Sequence, residues 1–355
     1  MSLTKTLAGH GPNIGHGWVK YVIIDPDGQE LEPIVFPATT ARASQAAAGS
    51  LVRVPTVKVG NVRYWTGWDA QLSQSQITML GQDRLTDPAF IPALLAGSIA
   101  RFGHLNGSAR GVCVSGLPAS WTEQSREVDG REEKNIHEKA LGAALRAGAG
   151  PDIYAKVKVI AEPLGLAYAA LLDNNGHMTG DPALANGRIA SADFGHRTDD
   201  TAELLRLAVV RSSLQSHDTG TWRALDEIRG RLSAYFDCPL SILETDMAIR
   251  AGSIEIAGKL LPLPRGWDRP LIANGQTKVA RLTEAFGSGK QFHQILIGGG
   301  GAENERLTAP TLAKFSNAVV VRNVDFITPD FPDPTVWRHN SIAVGTYQRR
   351  SASWF

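Results

Sequence analysis

The sequence predicts an α/β protein built from two similar halves, and three features carry that prediction. The stretch "NIGHGWVK" at residues 13–20 is echoed by "DFGHRTDD" at 193–200, each with a polar residue, an apolar residue and then Gly-His at a bend between β-rich segments. A strand running into Glu162-Pro163 and an alanine-rich helix closes the first half. A strand running into Gly298–Gly301 and a further helix closes the second. Hairpin, strand–helix and strand–turn–helix therefore recur in order, which implies two α/β lobes with a cleft between them.

Taken along the chain, WVKYVIID at 18–25 is apolar and β-rich, PDG at 26–28 is a turn signal, and LEPIVFPAT resumes extended structure. The segment LAGHGP before Asn13 reads as a poor strand because of its glycines and proline, so an irregular edge is expected there. Residues 38–53 are small and alanine-rich, as a short helix or a surface excursion would be, and 54–70 read as two short strands around Gly60-Asn61. DPAFIPALLAGSIARFG at 87–103 reads as a helix with Pro88 near its start. GVCVSGLP at 111–118 reads as a buried strand, 120–135 as a loop or exposed helix start, and IHEKALGAAL as helix. In the second half RIASADFG at 188–195 is a strand entering a turn, AELLRLAVVRS continues as strand, and helical patterns fall around 221–236 and 244–257. NAVVVRN at 317–323 is a last strand, and the closing segment PTVWRHNSIAVGTYQRR reads as helical, returning to the first lobe.

Bulk properties exclude several classes. The chain has 355 residues, 43% of them hydrophobic, with a formal net charge of +1, so neither a nucleic-acid coat nor a polybasic membrane anchor is indicated. No apolar run reaches membrane-spanning length and the start lacks an apolar signal core, so a cytoplasmic protein without membrane contact is expected. Two distant cysteines, Cys113 and Cys238, form neither a metal spacing nor a disulfide framework and read as buried thiols. The glycines at 298–301 are not followed by GK[ST] and do not match GxGxxG with a downstream acid, and there is no GxSxG elbow.

The remaining chemistry is that of a phosphate site. Glycines in a tight turn let backbone N–H groups point at anionic oxygens, so Gly15 and Gly17 could serve one phosphate and Gly195 another; ordinary β-turns are the plain alternative. Asp193, at the end of its strand, could hold Mg²⁺ directly or through water, with Asp199 or Asp200 extending the acidic edge; a turn or cap acid is the alternative. Lys20 could reach a phosphate or be a solvated edge lysine, Arg197 a phosphate contact or a surface fork. Thr198 could donate its hydroxyl to a phosphate. His16 and His196 match in position and serve as loop packing or as phosphate donors. Glu162 could orient a water for attack on a terminal phosphate or be a helix-start acid. Gly298, Gly299, Gly300 and Gly301 leave a bare backbone on which a purine or ribose could lie, or form a plain strand–helix turn with the helix starting at 302.

Together these residues resemble the actin-like ATPase superfamily, which also contains heat-shock chaperones and sugar kinases, and most of all its bacterial, plasmid and archaeal actin-like proteins of the ParM/StbA kind. Asn13, Gly15 and Lys20 hold the places of the family's Asp-x-Gly-x-x-x-x-Lys loop, and Asp193, Gly195, Thr198 and Asp200 those of Asp-x-Gly-x-x-Thr-x-Asp. "AEPLGLAYAALL", "ILIGGGGAE", "YWTGWDA", "VSGLPAS" and "NSIAVGTYQ" resemble further family blocks, and the likeness spans roughly 13–347. The resemblance implies an actin-like fold of two RNase-H-like lobes around a nucleotide cleft, 1–183 with a returning segment 324–355 and 184–323. It implies ATP or ADP with Mg²⁺ as cofactors, held at the phosphates by Asn13, Gly15, His16, Gly17, Lys20, Gly195, His196, Arg197 and Thr198. Gly298–Gly301 would take the adenosine, Asp193 and Asp200 the metal, and Glu162 and Asp193 would be catalytic. It further implies head-to-tail filaments, a role in plasmid or DNA segregation or cell organisation, and a DNA-binding adaptor rather than direct base reading. One departure is plain: Asn13 stands where the family has an acid. A small-metabolite kinase, needing a carboxylate base such as Glu123, Asp129 or Glu132, and a non-hydrolysing nucleotide-binding scaffold are the competing readings.

Overall fold

The computed structural model describes residues 8–24, 31, 33–43, 55–71, 73–102, 111–122, 124–128, 131–150, 152–172 and 181–321. It divides into two compact units that meet in sequence between Asp181 and Pro182. The segment 324–355, expected to return to the first lobe, lies outside the described residues.

Unit one opens with β1 (Ala8–Ile14), β2 (Trp18–Ile24) and β3 (Ile34–Pro37), followed by β4 (Thr40–Arg42), β5 (Val57–Val59), β6 (Val62–Thr66) and the short helix α1 (Trp68–Gln71). After a 3₁₀ turn at Gln82–Leu85 come α2 (Phe90–Arg101), β7 (Gly111–Leu117), β8 (Arg126–Val128), β9 (Arg131–Glu133), α3 (Ile136–Ala149), β10 (Tyr154–Ala161) and α4 (Glu162–Leu171). The main sheet has the order β10-β7-β1-β2-β3. β10, β7 and β1 run parallel, while β2 and β3 are antiparallel additions. Three expectations change. The AGHGP part of the segment LAGHGP is not irregular: β1 is a fully buried seven-residue strand, because β2 and β7 supply hydrogen-bond partners on both edges and tertiary pairing overrides weak β propensity. Within 120–135, expected as a loop or an exposed helix start, β8 and β9 pair as antiparallel strands. The helix expected at 87 begins at Phe90, where the Asp87 carboxylate accepts from the Ala89 and Phe90 amides at 2.9 and 2.6 Å and satisfies first-turn donors.

The sheet face carrying Ile14, Val19, Tyr21 and Ile23 packs on Ile91, Leu94 and Leu95 of α2 and Leu141 and Leu145 of α3. Each such buried aliphatic side chain contributes about 1.5–3 kcal/mol. The core also holds a polar chain in which His10 Nδ1 bonds Tyr21 Oη at 2.8 Å and Tyr21 Oη bonds Tyr154 Oη at 2.6 Å. Burial raises both phenols well above their ordinary pKa, so both hydroxyls keep their protons and stay available to the chain.

Unit two contains α5 (Pro182–Asn186), β11 (Arg188–Phe194), β12 (Asp199–Leu205), β13 (Ala208–Val209), β14 (Gln215–His217), α6 (Trp222–Phe236), α7 (Ile242–Ala251), β15 (Ser253–Ile256), β16 (Lys259–Pro262), α8 (Arg269–Phe286), β17 (Gln294–Gly298), α9 (Glu305–Lys314) and β18 (Ala318–Val320). Its main sheet has the order β18-β17-β11-β12-β13, with β14 also on β12. This repeats the first sheet strand for strand: β11 matches β1, β12 matches β2, β17 matches β7 and β18 matches β10. Ala190, Ala192, Phe194, Ile295 and Ile297 of this sheet pack on Leu282 and Phe286 of α8 and on Phe315. α7 is shorter than the helical pattern at 244–257. A capping box between Ser241 and Glu244 starts it, and Gly252 at φ +69° ends it, releasing 253–256 into a strand. α8 corresponds to no element expected from the sequence.

Candidate functional site

The two echoed stretches are the same piece of structure. The β1–β2 hairpin pairs Ile14 with Val19 and Asn13 with Lys20; the β11–β12 hairpin pairs Phe194 with Asp199 and Asp193 with Asp200. In each, the glycine amide donates to the carbonyl three residues on: Gly15 to Trp18 and Gly195 to Thr198, both at 3.0 Å. A Cβ on Gly15 would stand 2.7 Å from the Trp18 oxygen, and one on Gly195 2.5 Å from the Thr198 oxygen, so both turns need glycine for close backbone approach.

The contents of the two hairpins differ. Directly opposed residues share a sheet face, so hairpin one sets Asn13 beside Lys20, and hairpin two sets Asp193 beside Asp200. All four are buried, at 5, 7, 3 and 1% exposure. Asp200 accepts from Thr198 Oγ1 at 2.6 Å and from Ser216 Oγ. Two adjacent carboxylates with hard oxygens fit Mg²⁺, which binds through one or two protein carboxylates and keeps waters or phosphate oxygens for the rest. Among the described residues no cluster of three or more His, Cys, Asp or Glu side chains could hold a metal by itself.

Asp199 does not extend that acidic edge. Successive strand residues face opposite ways, so Asp199 points into the core on the Phe194 side. There Lys278 of α8 donates to its carboxylate at 2.5 Å and lies 4.8 Å from the Phe194 ring centroid. Thr219 Oγ1 donates to the same carboxylate at 2.6 Å. Burial pushes the Asp199 pKa up and the Lys278 pKa down, and each partner opposes the other's shift.

Hairpin two is braced from behind. The amides of Gly220, Thr221 and Trp222, at the start of α6, donate to the carbonyls of Arg197, Gly195 and His196. A Cβ on Gly220 would stand 2.3–2.5 Å from the Arg197 and His196 backbone. Arg197 donates to Asp218 and lies 5.1 Å from the Trp222 ring, so its guanidinium is already committed. Burial lowers the His196 pKa; Asp246 opposes the shift, while Arg197 and Arg250 add to it. His16 sits edge-on to Trp121 with centroids 5.9 Å apart, as a packing residue would.

The glycine run is built onto the end of β11. Gly298 lies in register with Asp193. Gly299 has φ +85°, and a Cβ there would stand 1.8 Å from Asp193 Oδ1; one on Gly301 would stand 2.8 Å from the Phe194 carbonyl. Residues 300–303 form a 3₁₀ turn, and the helix expected at 302 starts at Glu305, where Asn304 Oδ1 accepts from the Arg306 amide at 3.0 Å. The loop therefore has a packing reason for glycine at 299 and 301 as well as a bare backbone. Gly299→Ala is expected to destabilise the protein by about 1–3 kcal/mol through the unfavourable φ alone, read as a lowered melting temperature.

Glu162 is the first residue of α4, where β10 ends, and it is half-buried. Gly116 makes room for it: a Cβ there would lie 2.7 Å from Glu162 Cγ. Of the alternative acids, Glu132 is exposed on the β8–β9 hairpin and 3.5 Å from Lys134, while Glu123 and Asp129 lie outside the described residues.

Sequence reading did not single out Arg84, Lys278, Gly116 or Gly220. Arg84, 3% exposed, donates through Nη2 to the Ile14 carbonyl, and burial lowers its pKa to about 10 against the opposing charges of Glu162 and Asp83. A cysteine expectation also shifts: Cys113 is buried, but Cys238 is only partly so. No described helix is long and apolar enough to cross a membrane.

Residues 12–165 match the family model for the N-terminal domain of actin-like proteins. The archaeal actin homolog Ta0583 superposes with a TM-score of 0.68 at 17% identity, covering 98% of this chain and 100% of that one. A non-polymerisable quadruple mutant of pCBH ParM gives 0.64 at 13% identity over 96% and 98% of the two chains. Bacillus thuringiensis ParM with AMPPNP gives 0.58 at 13% over 96% and 99%. No curated protein sequence matches. The repeated sheet order, the paired glycine hairpins and these likenesses agree: the chain has the actin-like fold, and its residues 12–165 match the N-terminal domain of actin-like proteins.

Proposed function

We propose that the protein binds and hydrolyses ATP and forms nucleotide-dependent head-to-tail filaments in the cytoplasm, positioning plasmid or other DNA through an adaptor protein. The observation that carries the reading is the pair of identical glycine turns, at equivalent places in two sheets of the same strand order. In support, Ta0583 has been solved with ADP and Bacillus thuringiensis ParM with AMPPNP and with ATP, and a ParM variant is described as non-polymerisable.

In this proposal the backbone of residues 15–17 and 195–198 holds phosphate oxygens, with Lys20 adding a positive charge on the Asn13 face. Asp193 and Asp200 would hold Mg²⁺, which when bound offsets phosphate charge. Gly298–Gly301 would carry the adenosine, and Glu162 would orient the attacking water. Arg197 and Thr198, already engaged with Asp218 and Asp200, would contribute mainly by shaping their turn.

Binding of a fluorescent ATP analogue with Mg²⁺, followed by pelleting with ATP, ADP and no nucleotide, tests the reading. Saturable binding and an ATP-dependent pellet are expected. Turnover only with an added sugar would replace it with the kinase reading, and absence of adenine nucleotide binding would remove the site altogether. Asn13 sets a neutral amide opposite Lys20, so Asn13→Asp adds a carboxylate there, beside the proposed phosphate position. It should lower the Mg²⁺ concentration for half-maximal turnover by about tenfold, as one well-placed charge can; an unchanged Mg²⁺ titration would mean that position 13 does not face the metal.

A further inference from the structure

Behind the second glycine turn, residues 219–222 form a strap. The amides of Gly220, Thr221 and Trp222 donate to the carbonyls of Arg197, Gly195 and His196 at 3.2, 3.2 and 2.9 Å. Three consecutive carbonyls of one turn are therefore tied to the same side. In a trans peptide the carbonyl and the N–H that follows it point opposite ways. Tying back the carbonyls of residues 195, 196 and 197 thus turns the amides of His196, Arg197 and Thr198 forward. Successive amides facing one way are what an anion-binding turn requires.

The strap is itself held from α8. The Thr219 carbonyl, one peptide before Gly220, accepts from Asn274 Nδ2 at 3.0 Å and from Lys278 Nζ at 3.2 Å. The Thr219 hydroxyl donates to Asp199 at 2.6 Å, so both polar groups of this residue are fixed. Gly220 packs so closely on the turn that a Cβ there would meet the Arg197 and His196 backbone at 2.3–2.5 Å, so a shift of the strap is passed to the turn. Lys278 has a second task, since it also donates to Asp199. Asn274 is different. Its Oδ1 is buried with no hydrogen-bond partner among the described residues, a cost that leucine in the same place would not carry. Packing alone therefore does not account for an amide at 274, whereas its bond to Thr219 does.

We propose that Asn274 is a positioning residue for the second phosphate turn: through Thr219 and the strap it keeps the amides of residues 196–198 aimed at a phosphate. This rests on the nucleotide-binding reading above and adds to it a residue on a helix outside both glycine hairpins. Asn274 touches no phosphate in this scheme. It acts at one remove, and Lys278 shares the same carbonyl.

The test is equilibrium binding of ATP, ADP and adenosine to the full chain with Mg²⁺, well below the melting temperature. Asn274→Leu keeps the volume and removes the donor. It is expected to raise the Kd for ATP and for ADP by about 3- to 10-fold, the usual value of one hydrogen bond, and to leave the Kd for adenosine within about twofold. Gly220→Ala displaces the strap directly and should weaken ATP binding as well. In that background Asn274→Leu should add less than about half of its own effect, because both changes act through the same strap. Three results would overturn the proposal. An adenosine loss equal to the ATP loss would make Asn274 a nucleoside contact. An unchanged Kd for ATP beside a lowered melting temperature would make it purely structural. Full additivity with Gly220→Ala would detach it from the strap. If Asn274→Leu does not fold, Asn274→Ala gives the same comparison. If the wild-type chain binds no adenine nucleotide, the nucleotide reading fails by itself, and amide hydrogen exchange decides whether Asn274 holds the strap. The amides of Gly220, Thr221 and Trp222 should then exchange about 3- to 10-fold faster in Asn274→Leu, and unchanged exchange there would overturn the proposal.

Discussion

On the ATPase reading proposed above, replacing Glu162 by glutamine is expected to slow ATP hydrolysis by about 100-fold or more, the usual contribution of a positioned acid–base group, while ATP affinity stays within about threefold. Glutamine keeps the side-chain length, so the seat against Gly116 and the start of α4 are retained. What is lost is the negative charge and the second acceptor oxygen, the two properties needed to orient and polarise a water. Because the residue stands at a strand end and not on either glycine hairpin, the groups proposed to bind phosphate are untouched. Single-turnover hydrolysis beside equilibrium binding separates the two effects, and equal rates in variant and wild type would take Glu162 out of the mechanism.

Lys278→Met is the substitution expected to cost most stability. It strands the Asp199 carboxylate in the core of unit two, and breaking a buried ion pair from one side destabilises by about 3–5 kcal/mol. The sign with pH follows from the shift. Burial already raises the Asp199 pKa with Lys278 present, and removing the cation takes away the largest opposing influence. The folded variant therefore holds a proton that the unfolded chain releases near pH 4. Stability is least affected below that pH and falls as pH rises toward the folded pKa. Chemical denaturation should show a larger loss at pH 7 than at pH 4. Adding Asp199→Leu should restore most of it, since an apolar pair can replace a buried ionic one. A loss independent of pH would mean that Asp199 is not the stranded charge.

The contrast between Asp199 and Asp200 shows how far a sequence can be read. A period of two along a strand is enough to send neighbours to opposite faces, so one of them had to leave the acidic edge. Hairpin one confirms which: Val19, at the place equivalent to Asp199, is a core residue. An acid in a core position demands a buried cation, and nothing in the local sequence says where that cation comes from. It comes from Lys278, 79 residues away. The same lysine masks α8 in the hydrophobic pattern. Leu271, Gly275, Lys278, Leu282 and Phe286 are spaced as one helical face, and all are buried, but a glycine and a lysine interrupt the apolar stripe.

By itself the sequence determined what depends on neighbours a few residues apart. The two glycine turns close between residues i and i+3, Glu162-Pro163 marks a strand–helix junction, and a glycine run follows an apolar strand; each is local chemistry, and together their order indicated the fold. The tertiary structure alone decided what depends on partners far along the chain. It made a strand of Ala8–Ile14 by placing it between two others, turned Asp199 inward onto Lys278, and brought Arg84 across 70 residues to the Ile14 carbonyl. A hydrogen bond or ion pair across such a separation leaves no periodic trace, because its energy depends on burial and geometry that exist only once the sheet and helices have packed.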